Sequence, residues 1–128
     1  MRLEPEAERF RDLMDSADPD FAEVMACVFG VQHHEVRTYR TLLSTPSSTV
    51  EELAAVLDRD RSNVNRSLST LREKGLAERR RRLLDGGGHV YQYTATPLDE
   101  AQALLHEALD AWADMVHGQI DEFEISRE

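Results

Sequence analysis

The sequence predicts a mostly α fold with one small β-hairpin, and three observations carry that prediction. Apolar residues recur at helical spacing through most of the 128 residues, and two strand-like segments flank the run Gly86-Gly87-Gly88. The charge of the chain also reverses sign in one place only. Residues 1–58 hold five Arg and twelve Asp or Glu, residues 59–82 hold nine Arg or Lys and three acids, and residues 83–128 hold one Arg and ten acids. These blocks come to −7, +6 and −9 within a net charge of −10.

The first helix is predicted over residues 3–14, where Leu3, Ala7, Phe10, Leu13 and Met14 alternate with charged neighbours at helical spacing. Asp18 and Pro19 stop it. Residues 20–29 form a short apolar helix that opens on an N-cap-like Asp and closes at Gly30. A third helix over 32–44 places Val36, Tyr39, Leu42 and Leu43 on one face and ends in the loop Ser44-Thr45-Pro46-Ser47-Ser48. Thr49 and Glu52 have capping-box spacing: the hydroxyl takes one orphan amide of the first turn and the carboxylate reaches back to another. The helix they open turns Leu53, Ala54 and Leu57 inward. Asp58-Arg59-Asp60 is a tight turn, and a further helix runs over 61–74 to Gly75.

That further helix is amphipathic in an informative way. Val64, Leu68 and Leu71 point inward, and at about 100° per residue the opposite face holds Ser62, Arg66 and Ser69, flanked by Asn63, Asn65 and Thr70. Residues 76–84 and 89–94 are the two strands, and Asp85-Gly86-Gly87-Gly88 between them is a strong hairpin signal. Tyr91 and Tyr93 are expected to face the core and Gln92 to point out. Arg79 to Arg82 is a run of four, so an extended strand sends two Arg to each side. One pair is expected to reach phosphate, the other to be solvated or paired with nearby acids. Thr96 as N-cap and Pro97 as first helical residue open the last helix, over 98–124. Its stripe is Leu98, Ala101, Leu105, Ala108, Trp112, Met115, Gln119 and Phe123, widened by Leu104, Leu109, Val116 and Ile120. Such a helix is roughly 40 Å long, more than a small domain covers alone, and is expected to pack on another subunit. Burial within the chain's own core, under the segment 3–14, is the alternative for this stripe.

Length fits one compact domain with appendages: N-terminal helices over 1–31, a helix-turn-helix and hairpin over 32–96, and a C-terminal dimerisation helix over 97–128. No run approaches the roughly 18 apolar residues of a membrane span and the N-terminus lacks a signal-peptide pattern, so a cytoplasmic protein is expected. The lone Cys27 cannot form an internal disulfide and sits between Ala26 and Val28. It reads either as a buried inert thiol or as a redox sensor. The five histidines, His33, His34, His89, His106 and His117, lack the close spacing of a metal site, and no cofactor or metal is expected.

A basic island ending in a hairpin is what DNA asks of an acidic chain. DNA carries about one charge per 1.7 Å of axis, so positive charge is needed at the contact face whatever the net charge elsewhere. The major groove, about 12 Å wide, admits one helix, and Arg reads guanine there while Asn reads adenine. Small Ser side chains let the helix backbone approach. Glu73 on the same face lies near the C-terminal end, which tends to lift out of the groove. No phosphate-binding glycine loop, clustered metal ligands or nucleophile with a base is present, so no enzyme is expected.

The run from Val50 to Leu57, then Arg61 to Leu76 with its Lys-Gly-Leu end, then the Gly-tipped hairpin with Tyr91-Gln92-Tyr93-Thr94, resembles archaeal and bacterial winged-helix transcription regulators. MarR-like and TrmB-like families are the nearest comparison, with PadR-like regulators close to them, and the resemblance covers about residues 33–96. It implies a homodimer on a pseudo-palindromic operator in double-stranded DNA, with recognition helices in successive major grooves and wings at the flanking minor groove or backbone. By that resemblance Arg61, Ser62, Asn63, Asn65, Arg66 and Ser69 contact DNA from the helix, and Arg80, Arg82 and His89 from the wing. At this length no separate effector domain of the kind seen in longer TrmB-like proteins is expected, and no sugar ligand. In length and acidity the chain is also similar to haloarchaeal stress-response regulators, including those answering oxidants. Fourteen Arg and one Lys against twenty-five carboxylates fit a halophilic source, with bound salt cations as possible partners. The competing reading is a winged domain used for protein contact in a transcription or chromosome-handling assembly.

Overall fold

The computed structural model describes residues 20–124, so the helix expected over 3–14 lies outside the described residues. Five helices and one hairpin follow in order: α1 (Phe21–Phe29), α2 (His33–Ser44), α3 (Val50–Leu57), α4 (Arg61–Glu73), β1 (Ala77–Leu83), β2 (His89–Ala95) and α5 (Leu98–Glu122). The fold is the mostly helical winged type that the sequence predicts.

Local chemistry sets most boundaries. Asp20 caps α1 by accepting the Glu23 amide at 2.8 Å, and Gly30 ends the helix in the left-handed region. Thr49 and Glu52 form the expected capping box at 2.9 and 3.1 Å. Asp58 takes a left-handed φ of 53° to end α3, and Asp60 caps α4 by accepting the Asn63 amide at 3.0 Å. At the other end of α4, Gly75 has φ 78°, its amide donates to the Arg72 carbonyl at 3.1 Å, and the Leu76 amide donates to Leu71 at 2.8 Å. This is a Schellman stop, closed by the contact expected between buried Leu71 and Leu76.

The core lies where α2, α4 and the base of the hairpin meet. Val36, Tyr39, Leu42, Val64, Leu68 and Leu71 are at most 2% exposed. Leu43 departs from expectation and is exposed, because the buried stripe of α2 also takes in Glu35 and Thr38 and its centre is rotated away from Leu43. Ser67, which the periodicity left unassigned, is fully buried in α4 and meets the half-buried His34 ring at 3.1 Å.

The hairpin pairs antiparallel from Ala77 opposite Ala95 to Leu83 opposite His89. It gains a third partner that the sequence reading treated as plain loop: Ser48 exchanges both backbone hydrogen bonds with Tyr93, at 3.0 and 2.7 Å. The start of α5 is also corrected. Pro97 is the N-cap and Leu98 the first helical residue, while the Thr96 hydroxyl donates to the Gly75 carbonyl at 2.7 Å. A tie between the end of α4 and the start of α5 takes the hydroxyl that a cap would have used. Of the α5 stripe, Ala101 is buried and Leu105 packs against the core, whereas Leu98, Leu104, Leu109, Met115, Val116, Ile120 and Phe123 are exposed. No helix among the described residues is long and apolar enough to cross a membrane.

Candidate nucleic-acid interface

The reading face is built from α4 outward. Burial of Val64, Ser67, Leu68 and Leu71 fixes the helix rotation, so Arg61, Ser62, Asn65, Arg66 and Ser69 are exposed and Asn63 is half-buried. Asp60 holds Asn63 twice, through its amide and through its side-chain nitrogen at 3.1 Å. Asn63 in turn accepts a hydrogen bond from the Arg66 guanidinium. Asp60, Asn63 and Arg66 thus form a chain along one edge of α4 that fixes where the guanidinium lies.

Arg61 projects the other way and pairs with Glu51 at 3.1 Å, their side chains 70% and 75% exposed. A pair so exposed contributes at most about 1 kcal/mol and exchanges partners readily. Glu52, one residue on, is a carboxylate held below its ordinary range by hydrogen bonds from Thr49, with a smaller contribution from the charge of Arg82. Arg82 on the hairpin thus acts on the charge of Glu52 at the start of α3.

Between α4 and the wing is a groove of about 560 Å³ lined by Arg61, Ser62 and Asn65 from the helix, Thr49 and Glu51 from the start of α3, and Arg79, Tyr91 and Tyr93 from the hairpin. Cross-strand register explains why Arg79 is there: it lies opposite Tyr93 and Arg81 opposite Tyr91, so these four share one face, and Arg80 and Arg82 share the other with Gln92 and Val90. The Arg79 guanidinium stacks 4.0 Å from the centre of the Tyr91 ring, and His89 meets the same ring edge-on at 5.3 Å. Tyr91 is half-buried and packs against the core while also carrying this stack, and Tyr93 is buried in the core, as expected of both. Arg80 lines a second recess of about 300 Å³ on the other face, with Ser47, Glu78, Gln92 and Thr94.

The structure thus brings Arg61, Ser62 and Asn65 into one groove, joins Asn63 and Arg66 to each other outside its lining, leaves Ser69 exposed further down α4, and carries Arg80, Arg82 and His89 on the hairpin. Arg79 and Tyr91 are the pair that single-residue reasoning missed. Their signal was present in the hairpin register, which follows from the position of the glycine turn.

Away from this face, α1 and α5 enclose an apolar groove of about 240 Å³ lined by Phe21, Val24, Val28, Phe29, Leu105 and Leu109, with Gln102 and His106 at its edge. Cys27 is half-buried in α1. Among the described residues no three His, Cys, Asp or Glu side chains come together as a metal-binding group.

Known proteins share this architecture. The sequence profile of the family described as "Sugar-specific transcriptional regulator TrmB" matches residues 25–99. The uncharacterized protein MJ1503 of Methanocaldococcus jannaschii is 31% identical over 104 residues, which covers 81% of this chain and 79% of that protein. A possible transcriptional regulator from Methanosarcina mazei superposes with a TM-score of 0.74 at 27% identity, over 87% of this chain and 96% of that one. A mutant of S. aureus MepR bound to an oligodeoxyribonucleotide superposes with a TM-score of 0.52 at 14% identity, over 92% of this chain and 83% of that one.

Proposed function

The chain belongs to the TrmB family of transcriptional regulators, and from that premise we propose that it acts as a homodimer on a pseudo-palindromic operator in double-stranded DNA. Helix α4 enters the major groove and the hairpin rests on the adjoining backbone or minor groove. The groove between them carries the proposal: Arg61, Ser62, Asn65 and Arg79 converge there, exposed and matched to base edges and phosphates. Arg66, held by Asn63, is the side chain positioned to read guanine. The nucleic acid bound to the MepR mutant, which shares the fold, supports the same class of partner.

The dimer rests on α5. At about 1.5 Å per residue its 25 residues extend roughly 37 Å, and its distal half leaves Met115 and Ile120 each 64% exposed and Phe123 78% exposed. A contiguous apolar stripe of this kind marks an association surface, and a two-fold seam along α5 sets the two α4 helices at a fixed spacing, near 34 Å for successive grooves. The surplus of carboxylates over cations supports a protein that works at high ionic strength, where screening confines charge to about 3 Å at 1 M salt. The Arg of the groove then act at contact distance, with cations held by the acidic flanks taking part in docking.

Selection from a random duplex pool, followed by titration at low and molar salt, tests this reading. Saturable binding to one pseudo-palindromic sequence that persists in molar salt is expected. Equal affinity for all duplexes favours a protein-contact role for the wing, and a steep loss of specific binding toward molar salt contradicts the halophilic part of the proposal.

A further inference from the structure

Beyond Val90, which is half-buried and lines the groove beside α4, the end of the hairpin is exposed. Arg82, Leu83, Leu84, Asp85, the three glycines and His89 are all exposed, Leu83 at 72% and Leu84 at 43%. The end is nonetheless ordered by its own backbone: the Leu84 amide donates to the Gly88 carbonyl at 3.0 Å and the Gly87 amide to the Leu84 carbonyl at 3.1 Å. Gly87 and Gly88 sit at φ 93° and 82°, where a side chain would be strained. With Gly86 before them, the turn carries backbone alone past Asp85. Asp85 itself makes no hydrogen bond or ion pair with any described residue, although Arg82 is three residues away. An exposed leucine pair on a hairpin end is ordinarily a liability, and here it lies against a run of four arginines.

We propose that this tip reads the minor groove and favours a G·C pair, with Asp85 accepting from the guanine N2 amino group while Leu83 and Leu84 lie along the sugar walls. The inference rests on α4 docking in the neighbouring major groove. His89 lies four positions from Tyr93, the last buried side chain of the hairpin, or about 13 Å at 3.3 Å per residue. Residues 83–89 are all exposed, so the turn is open to a partner. A minor groove about 6 Å wide excludes a helix but admits a glycine turn. On its floor an A·T pair shows only acceptors, and G·C adds one donor. An ionised carboxylate is acceptor-only, so it is repelled by the first and bonded by the second. Phosphates on both walls oppose Asp85, and Arg82 and His89 beside the tip offset part of that repulsion. Asp85 thus adds discrimination more than affinity, which is a difference between two binding energies and needs no large gain in either.

The test uses the full chain and the duplex it selects from a random pool. Inosine for guanine removes only the N2 amino group and leaves the major-groove edge intact, and 2,6-diaminopurine for adenine adds that group to an A·T pair. Scanned across positions flanking the major-groove half-sites, inosine is expected to weaken wild-type binding about tenfold at one symmetric pair of positions, the scale of a hydrogen bond to a charged group. With A·T placed there, diaminopurine restores binding. Asp85→Ala is expected to bind the guanine and inosine duplexes equally, whereas Leu83→Ser with Leu84→Ser weakens both alike and keeps their ratio. A wild-type chain indifferent to inosine at every flanking position, or an Asp85→Ala chain that still separates the two duplexes, overturns the proposal and leaves the reading of α4 standing. A chain that selects no sequence overturns both.

Discussion

The winged domain and the distal half of α5 are incomplete in opposite ways. In the winged domain most of the apolar residues of α2, α3 and α4 enter one internal core, with Leu43 and Val56 left exposed, and the groove face beside α4 is mainly polar and charged. Among the described residues, Ala101 and Leu105 of α5 reach that core, and Met115, Val116, Ile120 and, just past the helix end, Phe123 are left exposed. The first surface calls for a charged, hydrogen-bonding partner and the second for an apolar one. Salt separates them further, because it screens the first interaction and leaves apolar burial intact or, with excluded salts such as sulfate, stronger. If both surfaces are used as proposed, salt should therefore affect the polar contact more than the apolar one.

The most severe break in that comparison is on the apolar side. Met115→Asp with Ile120→Asp alters two exposed positions, so the subunit fold is expected to survive. Burial of each such side chain is worth about 1.5–3 kcal/mol, and a two-fold seam counts every substitution twice. Light scattering should show a monomer, with dimer dissociation raised at least 100-fold and operator affinity falling with it. A dimer that persists places the seam elsewhere.

On the polar side, Arg66→Ala and Asn65→Ala are each expected to lose about 1–3 kcal/mol at the selected operator and little on unrelated duplexes. Arg79→Ala is a smaller and different break. Its guanidinium lies over the Tyr91 ring, 4.0 Å from the centroid, and as a proposed phosphate contact its loss should weaken binding evenly across sequences and reduce the salt slope by about one. Titrations of the three variants against operator and random duplex at several salt concentrations check the difference. If Arg79→Ala changes sequence preference and Arg66→Ala does not, the roles of helix and wing are reversed.

What the sequence shows of these two surfaces follows the range of the interactions that make them. The capping box at Thr49 and Glu52, the Gly75 stop and the glycine turn are local, involving residues a few positions apart, and each is legible from composition and spacing. The inward set Val64, Leu68 and Leu71 is equally legible, since one helix period fixes it. Ser48 pairing with Tyr93, and His34 meeting Ser67, join residues 45 and 33 positions apart. Nothing in either segment alone marks its partner. The Arg79–Tyr91 stack lies between these cases, because it needs only the register of one hairpin. Thr96 shows the converse failure: its local signature is that of an N-cap, and a distant carbonyl at Gly75 takes the hydroxyl instead.

Thr96 is also where the two regions are joined, and the smallest prediction concerns that joint. Its amide donates to Leu76 at 2.9 Å, its hydroxyl to Gly75, and its carbonyl accepts from the Tyr39 hydroxyl at 2.8 Å. Tyr39 is 2% exposed, and burial raises its pKa above the ordinary value near 10. A raised folded pKa means the neutral phenol is favoured by folding. That stability is present in full below pH 10 and is lost as pH rises through the folded value, where the phenolate must be buried or the fold opened. Tyr39→Phe should therefore lower stability at neutral pH by about 0.5–1.5 kcal/mol, the net worth of one hydrogen bond, and should flatten the alkaline limb of the stability curve measured in urea. Operator affinity is expected to stay unchanged, because the two remaining bonds of Thr96 still tie the start of α5 to the end of α4. A fall in affinity would mean that the spacing of the two reading helices is set through Tyr39 as well.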